Sequence, residues 1–413
     1  MVVAETGPCG DQAAAAEVWR SCGRLADGRE IIYFDESPGL DRAEFLDGRA
    51  VSATATSAAG RDSRPDNAGH DPAGRGTGLR WDPLLGEWVV FATRRRDRPV
   101  LPPTELCPLC PSRPGRHTEI PAPDYDVAVF ENAFPVLRGA AAGTTHHALQ
   151  PDSLSAWSPV SGGPLPVAES AGHGRCEVVC FTAEHGASFA SLPVRRIRTV
   201  LEAWADRTRA LGTLPGMRHV YCFENRGEEV GVTLHHPHGQ VYAFPFVPPR
   251  TSRLLARVRS HRARSGRNLF DDLVTSELCD GRRVVASNEH WLAFVPRAAH
   301  WPYELMLFPL TRVPDLPALP APVRATFGDI YHDVLRRLDL LFGSPMPYIA
   351  AWQQAPLRGR AARAEFALHL QVLPVARAPG EVKFLAGTES AAGVWSNDLL
   401  PEAAAATLRA AGQ

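Results

Sequence analysis

Apolar positions recur along this chain in two rhythms, and the rhythms follow the same order twice. In the first half, short alternating or continuous apolar runs predict strands over residues 87–92 (EWVVFA), 126–130 (DVAVF), 175–182 (RCEVVCFT), 219–224 (HVYCFE) and 239–246 (GQVYAFPF). Between the third and fourth, Val194, Ile197, Leu201, Trp204 and Leu211 fall on one stripe of a helix that opens after Pro193 and stops at Gly212. The second half predicts strands over 289–295 and 303–310, a helix from Pro322, and strands over 348–352 and 367–374. That helix carries Phe327, Ile330, Val334, Leu338 and Leu341 inward and ends at Gly343. Strand, strand, helix, strand, strand thus occurs twice, which points to duplication of an antiparallel α+β unit. Chance ordering of common elements in two unrelated domains is the alternative.

Ahead of these elements, residues 24–34 place Asp27-Gly28 between short apolar runs, a hairpin signal. Residues 47–78 are small, polar and punctuated by Gly and Pro, and read as a flexible connector. The first twenty residues carry no usable signal. The resulting division is an N-terminal extension (1–79), a first unit (80–250) and a second unit (251–413).

Composition narrows the class. With 45% apolar and 22% charged residues, 9 Trp and 17 Phe, the chain has what a globular core requires. Lys plus Arg (44) balance Asp plus Glu (45) for a net charge of -1, so no global field draws the protein to nucleic acid or an anionic membrane, and a small-molecule partner is expected. No apolar run approaches the length of a membrane span and the N-terminus lacks the pattern of a signal peptide, so a cytoplasmic protein is expected. The 8 cysteines are too sparse for a disulfide scaffold.

The strongest chemical signal is Gly231 to Gln240, GVTLHHPHGQ. In an extended segment His236, His238 and Gln240 point to one side, so their polar ends can converge on one bound group. A neutral imidazole attacks phosphorus well when its other nitrogen is held by an acceptor, and the carbonyl two residues earlier is within reach. Gln240 then offers an amide donor to a phosphoryl oxygen without acting as a second base. A polar turn or a metal-binding patch is the plainer reading of His-x-His alone.

Phe223-Glu224-Asn225-Arg226-Gly227 followed by His236-Pro237-His238-Gly239-Gln240 resembles the active-site signature of the galactose-1-phosphate uridylyltransferase family, within the histidine-triad superfamily. The likeness runs from about Arg24 to the C-terminus. It implies two histidine-triad-like domains in tandem, and a ping-pong transfer of UMP from UDP-glucose to galactose 1-phosphate through a uridylyl-histidine. By the same resemblance His238 is the nucleophile and Gln240 the phosphoryl-oxygen donor. Asn225, Gly231 and Thr233 match phosphate-side contacts, Arg95 and Arg98 match an arginine pair near the phosphates, and Asn132 matches a nucleotide-contacting asparagine. Guanidinium forks suit phosphate oxygens, although a solvated loop is the other reading of that basic cluster. Ala133 stands where an acidic residue is usual.

Cys107-Pro108-Leu109-Cys110 supplies half a tetrahedral metal site, which is weak evidence by itself. The resemblance supplies His185 and His236 as the other ligands of a structural zinc. A reactive dithiol, or His117 in place of His185, are the alternatives. Some family members carry an iron on a glutamate and three histidines; here Leu254, Gln353 and Gln371 replace three of these and only His369 remains, so no second metal and a catalytically silent second half are expected. Near the C-terminus, Lys383, Phe384 and Glu389 resemble a hexose-contacting segment that reaches in from a second subunit, implying a homodimer. Sugar specificity is less secure than reaction type, because a glutamine some members place downstream is absent. Rival readings are a related nucleotidyltransferase or phosphorylase using ADP-sugars or dinucleoside polyphosphates, and a zinc-stabilised nucleotide-sugar-binding module without chemistry.

Overall fold

The computed structural model describes residues 18–49, 77–139 and 169–413. The first half contains β1 (Trp19–Arg24), β2 (Glu30–Asp35), β3 (Thr77–Asp82), β4 (Glu87–Ala92), β5 (Val127–Glu131), β6 (Glu169–Ala171), β7 (Arg175–Cys180), α1 (Val194–Gly212), β8 (His219–Arg226) and β9 (His238–Phe244). The second contains α2 (Pro249–Ser265), α3 (Leu269–Asp280), β10 (Val284–Ser287), β11 (Trp291–Phe294), β12 (Leu305–Pro309), α4 (Ala321–Leu340), β13 (Tyr348–Gln353), α5 (Arg360–Glu365) and β14 (His369–Pro374). After it come β15 (Ala376–Ala378), β16 (Glu381–Val382), α6 (Gly387–Ser390) and α7 (Pro401–Ala411).

Eleven strands form one sheet in the order β1-β2-β5-β7-β9-β8-β13-β14-β12-β11-β10. Its neighbours pair antiparallel, and β8 meets β13 in the middle through Asn225 opposite Ile349 and Glu224 opposite Ala350. Outward from that seam the order is third, fourth, second and first strand of the repeated unit on both sides. The α+β class and the duplicated unit are therefore as the residue pattern predicts. The two units share a single sheet, which the pattern does not announce. The run EWVVFA is a strand, but it belongs to a separate three-stranded sheet, β4-β3-β6. The hairpin at Asp27-Gly28 is β1 and β2, and β2 pairs with β5 at the edge of the main sheet.

One face of the sheet carries α1 and α4. Ile197, Leu201, Trp204, Phe327, Ile330 and Val334 share a core with inward-facing Val179, Val220, Val241, Trp352 and Leu370. Each such side chain, fully buried, contributes about 1.5–3 kcal/mol relative to exposure. Gly328 permits the close approach of the helices, since a Cβ there would lie 2.9 Å from the Val194 side chain and from its carbonyl. Helix α4 ends at Leu340, with Leu341 as its cap and Gly343 just beyond.

Three patches cover the opposite face. Cys107, Leu109, Ile120 and Tyr125 pack over β2, β5 and β7; Leu79 of the small sheet packs on Cys176 and Tyr242; and Leu255, Val258 and Phe270 pack over β11 and β12. Helices α2 and α3 have no counterpart among the expected elements. Only Thr251, Leu255 and Val258 of α2 are buried, a stripe too thin to stand out among its arginines. Of the expected connector 47–78, residues 50–76 lie outside the described residues. Its first part is tethered: Asp47 accepts from Ala26 N at 2.8 Å and Arg49 pairs with Glu119. No helix among the described residues is long and apolar enough to cross a membrane.

Candidate active site

The second strand of the signature, β9, begins at His238. Gly239, Val241 and Ala243 point toward the helices, so His238, Gln240 and Tyr242 project from the other face. Gly239 is required by the close approach beneath it: a Cβ there would lie 2.8 Å from the Phe181 ring and 2.9 Å from the Phe223 carbonyl. His238 Nδ1 lies 2.7 Å from the His236 carbonyl oxygen. A carbonyl only accepts, so Nδ1 carries the proton and Nε2 keeps its lone pair. Burial holds the His238 imidazole below its usual pKa, partly offset by that bond, which keeps the ring neutral at pH 7.

The other residues singled out from the sequence come from five segments, and contacts link some of them to β9. Gln240 Oε1 accepts from the Tyr242 hydroxyl at 2.8 Å, and Arg95 donates to the same hydroxyl at 3.2 Å. Arg95 sits in a short 3-10 turn, Thr93–Asp97, directly after β4. The chain beyond it is tied to the signature loop by Leu101 N donating to the Thr233 carbonyl at 2.8 Å, with Leu101 left-handed at φ 47. Arg98 is close enough to Tyr242 to act on its hydroxyl electrostatically. Gly231 adopts φ 78 as the cap of the turn Glu228–Val230, a conformation that favours glycine. On β8, Phe223 stands opposite Gln240, so Asn225, two residues on, projects from the same face toward the level of His238. Asn132 lies at the end of β5, where its Oδ1 accepts from Phe134 N at 2.8 Å. Tyr242 was not among the residues singled out from the sequence, although its place two beyond Gln240 puts it on the same face.

Behind the imidazole lies a second constellation. The ligand atoms of Cys107, Cys110, His185 and His236 all fall within 4.8 Å of one another. Cys110 Sγ is 3.4 Å from His185 Nδ1 and 3.6 Å from His236 Nδ1. Metal bonds of about 2.0–2.3 Å arranged tetrahedrally put such atoms roughly 3.3–3.8 Å apart, so the four fit one zinc-sized ion. His236 Nε2 donates to the Thr182 carbonyl at 2.7 Å and meets the Tyr125 hydroxyl at 2.8 Å, which turns Nδ1 toward the sulfurs. Burial and the neighbouring Cys107 push the Cys110 thiol up to about 11, so an unaided reactive thiolate is disfavoured and a cation is what would hold it ionised. His117 packs against Gly48 and stands outside the cluster. His236 therefore serves both constellations: its ring belongs to the cluster, and its carbonyl holds His238.

Residues 75–248 match the family description "Galactose-1-phosphate uridyl transferase, N-terminal domain", and residues 255–413 match the corresponding C-terminal domain. The chain belongs to the galactose-1-phosphate uridylyltransferase family. It is 43% identical over 355 residues to the galactose-1-phosphate uridylyltransferase of Streptomyces lividans, covering 84% of this chain and 85% of that protein. The Thermotoga maritima protein of the same name is 33% identical over 331 residues, covering 80% and 97%. A solved structure described as a uridylyltransferase superposes with a TM-score of 0.67 at 28% identity, covering 81% of this chain and 98% of that one. An ADP-glucose phosphorylase from Arabidopsis thaliana with bound ADP-glucose superposes at 0.58 and 21% identity, covering 80% and 98%, and shares the fold.

The second half of the chain repeats part of this arrangement. His369 Nδ1 lies 2.9 Å from the Ala367 carbonyl, the same arrangement as His238. Its ring, however, is stacked on Phe308 at 4.5 Å, with Phe270 and Phe366 also beside it, and burial pushes its pKa down to about 4. Gln371 donates to Glu304 at 2.6 Å, and Gln353 stands opposite His369 in the ladder. Leu254 packs against the same apolar patch.

Lys383, Phe384 and Glu389 belong to the segment between β16 and α7. Lys383, the chain's single lysine, bonds to the Ser396 carbonyl and lies 3.7 Å from Glu389. Bonds from Thr388 and Ser396 hold the Glu389 carboxyl down to about 2. Phe384 is 79% exposed. Among the described residues no hydrogen bond or ion pair joins this segment to His238, Gln240 or Arg95.

Proposed function

We propose that this chain transfers UMP from UDP-glucose to galactose 1-phosphate through a covalent bond to His238. The observation that carries the reading is the His238 imidazole, protonated on Nδ1 by its bond to the His236 carbonyl and so leaving Nε2 its lone pair on the face that carries Gln240. In the first step Nε2 bonds to the α-phosphorus and the bond to glucose 1-phosphate breaks; the leaving phosphate carries the electron pair away. The imidazole gains positive charge, which the His236 carbonyl stabilises through Nδ1–H. In the second step a phosphate oxygen of galactose 1-phosphate takes the phosphorus and the N–P bond breaks. The Gln240 amide, the Arg95 and Arg98 guanidiniums, Asn225, Gly231 and Thr233 surround the phosphoryl oxygens, and Asn132 contacts the nucleotide.

Cys107, Cys110, His185 and His236 would hold a structural zinc, which, when bound, supplies a closed four-ligand brace behind the signature. The second unit, 251–413, is silent in this reading because aromatic rings of α3 and its neighbours enclose His369. Lys383, Phe384 and Glu389 meet the hexose of a neighbouring subunit in a homodimer in this reading; among the described residues no hydrogen bond or ion pair ties them to His238, Gln240 or Arg95 of their own chain. A cytoplasmic setting belongs to the same reading.

A ping-pong route predicts exchange of labelled glucose 1-phosphate into UDP-glucose when galactose 1-phosphate is absent. His238→Ala should lower that exchange by at least ~10³-fold. Absence of exchange in the wild type would favour a binding module, and turnover confined to ADP-glucose and phosphate would favour the adenine-nucleotide reading.

A further inference from the structure

Gln240 is useful to a transferred phosphoryl group only through its NH2 end. An amide side chain is nearly symmetric in shape, and with its carbonyl turned inward it would repel the phosphoryl oxygens it is meant to bind. Something must choose the end.

We propose that Tyr242 makes this choice: it is a positioning residue that fixes the Gln240 amide with its oxygen outward and its NH2 facing the reacting phosphorus. The argument starts from Arg95, which has donors and no acceptor. Because Arg95 donates to the Tyr242 oxygen at 3.2 Å, the hydroxyl proton is directed to its other neighbour, Gln240, 2.8 Å away. That neighbour must then present an acceptor, so Oε1 is captured and Nε2 is released. The polarity runs one way along the chain of three residues and is set by the guanidinium at its end. The Tyr242 ring is itself held in place, being buried, edge-on to Phe223 at 5.1 Å, and opposite Cys176 in the ladder. Burial also raises its hydroxyl pKa, so the donor proton stays in place at neutral pH.

The second half supplies an internal control. Gln371 stands two residues after His369 as Gln240 does after His238, yet Pro374 follows it at +3 and Leu373 occupies the place of Tyr242. Its amide is turned the other way, with Nε2 donating to buried Glu304 at 2.6 Å. Where the tyrosine is missing, the NH2 is consumed by the protein.

This inference rests on the reading of Gln240 as a phosphoryl-oxygen donor, and a double-mutant cycle separates the two. Tyr242→Phe, Gln240→Met and the double variant are compared for kcat and for KM toward UDP-glucose, with thermal unfolding followed in parallel. Gln240→Met should lower kcat by ~10²-fold, as loss of one aimed donor does, and Tyr242→Phe by ~2-fold where the two amide orientations become equally populated and up to ~10-fold where the flipped one dominates. KM should move by less than about twofold, and Tyr242→Phe should cost nothing further once Gln240 is Met. Wild-type kcat in Tyr242→Phe, or the same factor lost in both backgrounds, overturns the positioning role while leaving Gln240 as donor. Wild-type kcat in Gln240→Met overturns the donor reading itself and the inference with it.

Discussion

Glu224 sits in the signature itself, yet it points away from the face that carries His238 and Gln240, beneath the helices at the seam where β8 meets β13 opposite Ala350. Its carboxyl is buried and accepts from the Tyr348 hydroxyl at 3.0 Å, while the nearby Arg226 is already engaged by Asp339 at 2.8 Å. Burial raises its pKa from 4.5 to about 7, against the lowering effects of Arg226 and Tyr348. Between those two values the folded chain holds a proton that the unfolded chain has released, so stability falls as pH rises through this window. At about 1.4 kcal/mol per unit, the full loss is about 3 kcal/mol above neutrality. Glu224→Gln keeps the shape and the acceptor for Tyr348 but cannot ionise. Urea unfolding followed by tryptophan fluorescence should therefore place variant and wild type within about 1 kcal/mol near pH 5. By pH 8.5 the difference should have moved by about 3 kcal/mol in the variant's favour. A difference that stays constant across that range would refute the argument, because it would mean the buried carboxyl does not titrate between the two states.

Further outcomes follow from single contacts. Gly239→Ala should cost about 1–3 kcal/mol and lower kcat, because its Cβ would strike Phe181 and the Phe223 carbonyl between His238 and Gln240; unchanged stability and rate would remove the packing argument. Arg207→Met should destabilise by about 3 kcal/mol in chemical unfolding, since it strands buried Glu177, now bonded at 2.8 and 3.0 Å, with only Arg175 left; a loss under about 0.5 kcal/mol would contradict this. Elemental analysis should find about one zinc per chain, with Cys110→Ser abolishing it and lowering the unfolding temperature; a metal-free wild type of full stability would argue against the brace.

The repeated unit was legible because its strands and its two long helices carry strong periodic runs, down to the Trp204 and Phe327 stripes. The joining of both units into one sheet was not, since pairing of β8 with β13 depends on edges and registers that no local run encodes. Helix α2 escaped notice because its buried positions are outnumbered by arginines. At the site, His236, His238 and Gln240 were visible together because one extended segment carries them. The spatial meeting of Arg95 with Tyr242, and of Tyr125 with His236, joins residues 147 and 111 positions apart, and each needed the fold to become apparent. Lys383, Phe384 and Glu389 show the reverse case: their pattern is local, but among the described residues no hydrogen bond or ion pair joins them to His238, Gln240 or Arg95.

The central claim, a phosphorus bonded to one ring nitrogen, is tested most directly by peptide mapping. The protein is mixed with UDP-glucose alone, stopped under mildly alkaline conditions, digested and read by mass spectrometry. The account predicts one uridylyl group on the peptide containing His238, removed when galactose 1-phosphate is added before the stop. Continued sugar-nucleotide turnover with that peptide unmodified, or with the group on another residue, would contradict it.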